Sequence, residues 1–161
     1  MPGERSDAES VGFAPEEIDQ SAPTRSARLK WVVVVDESLP AGRAVNAAVC
    51  VAAATSDAVA GMLGDAAVDA DGEAHPGLPW AGCSVLAADA DTLRAVRAKA
   101  ASSPGTFVAD MPAAAQHTRV YAAYLDALKE TRAQDVAYYA VSILGPRNRV
   151  DRIVKRLALM P

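Results

Sequence analysis

The sequence predicts an α/β domain, a three-layer α/β/α sandwich around a small mixed sheet of about four strands, and three observations carry this reading. The run Val32-Val33-Val34-Val35 is continuously apolar and β-branched, which suits a strand covered on both faces. A second nearly all-apolar run spans residues 136–144 and is broken by Gly145-Pro146. Between and after these runs, apolar residues recur at helical spacing, so strands and helices alternate along the chain.

Taken in order, the first strand covers residues 30–35 and delivers Asp36 to its carboxyl end. A helix over 41–56 follows, where Ala, Val and Cys50 surround nearly the whole circumference; such a helix is expected to be buried in the core or at a subunit interface, with Cys50 in the core. A Gly/Asp/Pro-rich connection over 61–79 contains Asp71-Gly72, a plausible tight turn, and His75. The second strand is 82–87, beginning near Cys83, and a helix starts at Asp89 with Leu93, Val96 and Ala100 inward. After Pro104-Gly105 comes a short strand over 106–109, closed by Asp110. One helix is expected over 113–130, where Val120, Tyr121, Tyr124, Leu125 and Leu128 recur at helical spacing, and a last helix over 149–159, with Val150, Ile153, Val154 and Leu157 inward.

Residues 28–161 are thus expected to form a single domain, preceded by an acidic, Ser/Pro-rich tail over 1–27. That tail holds two basic and six acidic residues, which accounts for the whole net charge of −4. Phe13 to Ile18 reads as a docking turn, because Pro15 followed by Glu16 and Glu17 suits a helix start. The opposite charge is concentrated over 147–156, where Arg147, Arg149, Arg152, Lys155 and Arg156 face only Asp151. Any tRNA binding would lean on this segment, and a solvated helix face is the plainer account of it, so nucleic acid is not the expected partner. No apolar run reaches the roughly 20 residues that span a bilayer, which leads to the expectation of a cytoplasmic protein without membrane contact. Two separated cysteines and two histidines do not have zinc-site spacing, and no phosphate loop or dinucleotide glycine pattern occurs, so neither metal nor cofactor is expected.

Candidate site residues gather where strands are expected to end. Ligands in open α/β sheets bind at the carboxyl ends of strands, which singles out Asp36, Ser38 and Asp110, together with Arg147 and Asn148 after Gly145-Pro146. Arg43 and Asn46 lie in the first turns of the following helix, where backbone N–H groups favour an anion. Gln116, His117, Thr118 and Arg119 form the most polar cluster of the third helix, and His117 shares a face with Tyr121 and Tyr124 at i, i+4 and i+7. The roles expected are catalytic for Asp36, Asp110 and His117, and ligand-binding for Ser38, Arg43, Asn46, Gln116, Arg147 and Asn148.

Two segments resemble the type 2 peptidyl-tRNA hydrolases: residues 33–53, with Leu39, Gly42, Ala47-Ala48 and Cys50, and the closing Ile143-Leu144-Gly145-Pro146 followed by Val150-Asp151. Residues 30–161 more closely resemble an uncharacterised bacterial family grouped with those hydrolases by fold. The resemblance implies a peptidyl-tRNA hydrolase II-like fold and a homodimer, and it puts Gln116 roughly where the hydrolases have a Thr-Gln pair. It also puts Val45 at their functional lysine, Val49 at a glutamine and Ala52 at a histidine. A valine neither transfers a proton nor holds a phosphate, so the hydrolase chemistry does not carry over through those positions. The expectation is a small-ligand or acyl-group site at the strand ends, serving hydrolysis or transfer of an ester or amide. The alternatives are a non-catalytic ligand-binding or protein-interaction module and a tRNA-binding protein.

Overall fold

The computed structural model describes residues 10–161. Residues 1–9 of the expected tail lie outside the described residues. The valine run forms β1 (Leu29–Asp36), buried along nearly its whole length because both of its faces are covered. Trp31, Val33 and Val35 belong to one apolar cluster and Val32 and Val34 to another, so the period of two divides one strand between two cores.

The first core lies against α1 (Ala41–Ala58), and the second against α2 (Ala90–Ala101) and α5 (Arg147–Ile153). Helices therefore cover both faces of the sheet. Asp89 starts α2 by accepting the Thr92 N–H at 2.8 Å, which answers one of the free donors at the helix start.

The sheet has five strands rather than four, in the order β5-β6-β1-β4-β7, with β4 (Ser84–Ala88), β5 (Phe107–Pro112), β6 (Tyr138–Pro146) and β7 (Ala158–Leu159). A two-stranded hairpin, β2 (Ala67–Val68) with β3 (Ala74–His75), stands apart and turns through the expected Asp71-Gly72, Gly72 having φ +88°. β1 is parallel to β4 and antiparallel to β6, which is antiparallel to β5. β1, β4 and β5 therefore end at one edge of the sheet, and β6 ends at the other.

Three helical expectations are corrected. The last helix stops at Ile153 instead of continuing to 159, because Arg156 turns the chain at φ +71° and Ala158–Leu159 then pairs with β4. The single helix over 113–130 is two, α3 (Ala113–His117) and α4 (Tyr121–Lys129), separated by extended backbone at Thr118 and Val120. None of α4 is buried, and Val120, Tyr121 and Leu125 are exposed. Finally, α1 is apolar all round but buried on one stripe, Ala44, Ala47, Val51 and Thr55. Val45 and Val49 stand 57% and 60% exposed, and Cys50 is exposed rather than core, because the sheet covers only one side of the helix.

The segment before β1 packs against the domain. Phe13 is buried, its ring edge-on to Trp80 at 4.8 Å between centroids, and the Phe13 N–H donates to Ala60 O at 2.9 Å. Gly61, at φ +74°, permits this contact; a Cβ there would stand 2.9 Å from the Phe13 Cβ. Glu17 accepts two bonds from Arg28, both at 2.9 Å, and the Ala14 N–H at 2.8 Å. The expected docking turn is the short helical turn Pro15–Glu17.

Candidate functional site

The edge at which β1, β4 and β5 end carries seven of the nine candidate residues, in three groups. At the tip of β1, Asp36 is 7% exposed, and its Oδ1 accepts the Ser38 N–H at 2.9 Å and the Ser38 hydroxyl at 2.7 Å. Its Oδ2 has no partner among the described residues. Asp36 borders a cleft of about 540 Å³ whose walls include Leu39, Ala41, Leu159 and Met160. The acid therefore faces a hollow beside the start of α1, and one wall of that hollow is the β7 segment that sequence reasoning read as helix.

The second group joins α1 to α3. Gln116 Nε2 donates to the Arg43 carbonyl at 2.9 Å and to Asn46 Oδ1 at 3.2 Å, so α3 is latched onto the second turn of α1. His117 does not stack on Tyr121 and Tyr124 as its spacing predicts, because the helix breaks after it. Its Nε2 instead lies 2.8 Å from the Tyr139 hydroxyl on β6, with the rings edge-on at 5.8 Å.

Asp110 forms the third group. Its Oδ2 accepts from Arg97 Nε at 3.1 Å, and the Arg97 guanidinium also lies 5.2 Å from the centre of the Tyr138 ring. Asp110 lines a second cleft, of about 440 Å³, between α1, β5 and the α3–α4 break. Cys50, Met111, Arg119, Tyr121 and Tyr124 line it as well. Tyr121 and Tyr124 meet edge-on at 5.5 Å. Burial, reinforced by Tyr121 and Asp110, raises the Tyr124 phenol above its ordinary value, so it remains a hydrogen-bond donor well past neutral pH. Arg119 makes no ion pair or side-chain hydrogen bond with the described residues.

Asp36, Asp110 and His117 thus lie on one edge but not in one cavity. Arg147 and Asn148 lie at the other edge, because β6 runs antiparallel to β1. Arg147 has a tethering contact there, its guanidinium donating to the Ala27 carbonyl at 3.2 Å. Sequence reasoning missed Arg97, Arg119, Tyr121 and Tyr124 as site residues. The available signal was the polar run Gln116 to Arg119, which interrupts the apolar spacing where the helix breaks.

A family of proteins of unknown function, DUF2000, matches residues 29–161, most of the chain. The chain belongs to the DUF2000 family. A solved structure of a protein of unknown function from Agrobacterium tumefaciens strain C58 superposes with a TM-score of 0.77 at 16% identity, covering 83% of this chain and 98% of that one. This likeness fixes the fold alone. No curated protein matches the chain. Both matches are of unknown function: they show membership of the DUF2000 family and a shared mixed α/β fold, and the hydrolase relationship implied by the sequence resemblance gains no support from them.

Proposed function

We propose that this DUF2000 protein binds a small carboxylate- or acyl-bearing molecule in the cleft between α1, β5 and the α3–α4 break. The observation that carries this reading is the composition of that cleft: an apolar floor of Val51, Met111 and Pro112, two tyrosines, and the unpaired guanidinium of Arg119. Asp110 adds little net charge, because Arg97 neutralises it. An anionic head is drawn to Arg119 and the phenols, while an apolar body lies on the floor. The cleft's 440 Å³ falls within the range of about 300–1,000 Å³ that suits small ligands.

Thermal unfolding with a panel of medium-chain carboxylates and N-acyl amino acids tests the proposal. The midpoint is expected to rise in the wild type and to stay flat in Arg119→Ala. A flat wild-type response across the panel removes the ligand class.

Hydrolysis or transfer of an ester or amide is the second reading, favoured by Asp36 at the rim of the 540 Å³ cleft, where one carboxylate oxygen is free to orient water. Val45 and Val49, which align with polar residues of the peptidyl-tRNA hydrolases, are exposed on α1 and supply no proton-transfer group. Turnover of model esters by the wild type and its loss in Asp36→Asn support this reading. Equal rates take Asp36 out of it.

A further inference from the structure

The basic segment 147–156 is unused by the site above, and the fold gives it a partner that the sequence does not show. Val150 of α5 and Val154 just after it share the second core with Val96 and Ala100 of α2. That apolar contact sets the last turn of α2 beside α5. Lys99, Ser102 and Ser103 then face Arg149 and Arg152 across a cleft of about 420 Å³. Arg149 and Arg152 are three apart on α5 and share one of its faces.

None of these three cations has an acidic partner among the described residues. Asp151, the acid nearest in sequence, is engaged by Lys30 at 2.5 Å. Arg149 donates to the Pro104 carbonyl and Arg152 to the Asn148 carbonyl, so both guanidinium groups are positioned by neutral acceptors and keep their charge. Stabilising the carboxyl end of α2 calls for only about half an elementary charge. Three full charges exceed that need, and held together they repel one another. An anion of matching charge removes the repulsion, and the planar fork of arginine suits phosphate oxygens.

We propose that this cleft, at the opposite edge of the sheet from Asp36, binds the phosphoryl group of a small phosphorylated molecule. A small ligand fits better than a nucleic acid for two reasons. The cationic patch is local, confined to Lys99, Arg149 and Arg152, and the chain's net charge of −4, all of it contributed by residues 1–27, repels a long polyanion. Ser102 and Ser103 each donate to the Lys99 carbonyl, at 3.0 and 2.8 Å, which closes the end of α2 and fixes the rim on which Lys99 stands.

Inorganic pyrophosphate is the probe, titrated into the full-length protein at low salt while backbone amide shifts are followed by NMR. Saturable binding with a dissociation constant below about 1 mM is expected, with the shifts centred on Ser102, Ser103, Arg149 and Arg152. Lys99→Gln combined with Arg152→Gln, two exposed positions, is expected to weaken binding about tenfold or more while the unfolding midpoint holds. Should the pair lower the midpoint, each single variant is measured instead. Arg119→Ala, at the other edge, is expected to bind pyrophosphate like the wild type, which separates failure here from failure of the carboxylate site. Absence of saturation, shifts centred elsewhere, or equal affinity in the variants overturns the proposal. So does an RNA hairpin that outcompetes pyrophosphate at these residues with a steep salt dependence, since the partner would then be a nucleic-acid backbone.

Discussion

At the scale of single residues, the most consequential polar group is Ser142, fully buried in the middle of β6. Trp31 Nε1 donates to its hydroxyl at 2.7 Å, and that hydroxyl lies 2.7 Å from Thr55 Oγ1. Thr55 has one proton, which goes to the Val51 carbonyl at 2.7 Å, so Ser142 must be the donor to Thr55. The chain of bonds runs from indole to serine to threonine to carbonyl and ties β1, β6 and α1 together through the core. Ser142→Ala leaves the Trp31 N–H buried without an acceptor and is expected to cost about 1–3 kcal/mol. Urea unfolding followed by Trp fluorescence measures this, and an unchanged midpoint would show that the network contributes nothing. Single residues also mark where sequence reading reached its limit. Asp36 was legible because a valine-rich strand must end somewhere, and an acid at its tip is conspicuous. Cys50 was misread because small side chains such as alanine and cysteine pack equally well against a sheet or toward water, so composition alone does not say which side of a helix is covered.

At the scale of elements, the strap from Val11 to Arg28 is held by the buried Phe13 and by hydrogen bonds to the domain, and its Glu17–Arg28 pair is titratable. The hydrogen bonds from Arg28 lower the Glu17 pKa below its ordinary 4.5. A carboxylate whose folded pKa is depressed contributes stability that is present above the ordinary value and lost as the pH falls through the lowered one. Both partners lie within the strap, so the turn that the pair closes should be fully formed at neutral pH and loosen only in acid. Carboxyl carbon NMR is expected to place the Glu17 midpoint below 4.5, and Arg28→Ala should return it toward that value. A wild-type midpoint at or above 4.5 contradicts the pairing. The elements that the sequence concealed share one cause. β7 is two residues long and owes its strand character to pairing with Leu86 and Ala87, a tertiary fact. The direction of β6 is equally absent from local pattern, which is why Arg147 and Asn148 read as neighbours of Asp36 although the antiparallel register carries them to the far edge. The break after His117 is a milder case: polar residues 116–119 signalled it, while the apolar period continued on the other side.

At the scale of the whole molecule, the two edges of the sheet differ in character. One presents clefts that combine apolar walls with carboxylates, phenols and Arg119; the other presents the cations of α2 and α5. Among the described residues, no helix is long and apolar enough to cross a membrane. Large apolar groups nevertheless remain uncovered on α1 and α4, with Val45, Val49, Tyr121 and Leu125 all exposed. Sedimentation velocity is expected to give a species of twice the chain mass, and Val45→Asp with Val49→Asp is expected to return the monomer. A wild-type monomer at high concentration would leave those valines simply solvated. The strap adds a practical boundary condition, since the family match begins at residue 29 while Phe13 is already packed in the core. A recombinant fragment trimmed to the family limits would leave the Trp80 indole facing an empty socket, and its poor solubility would be mistaken for a fault of the domain itself.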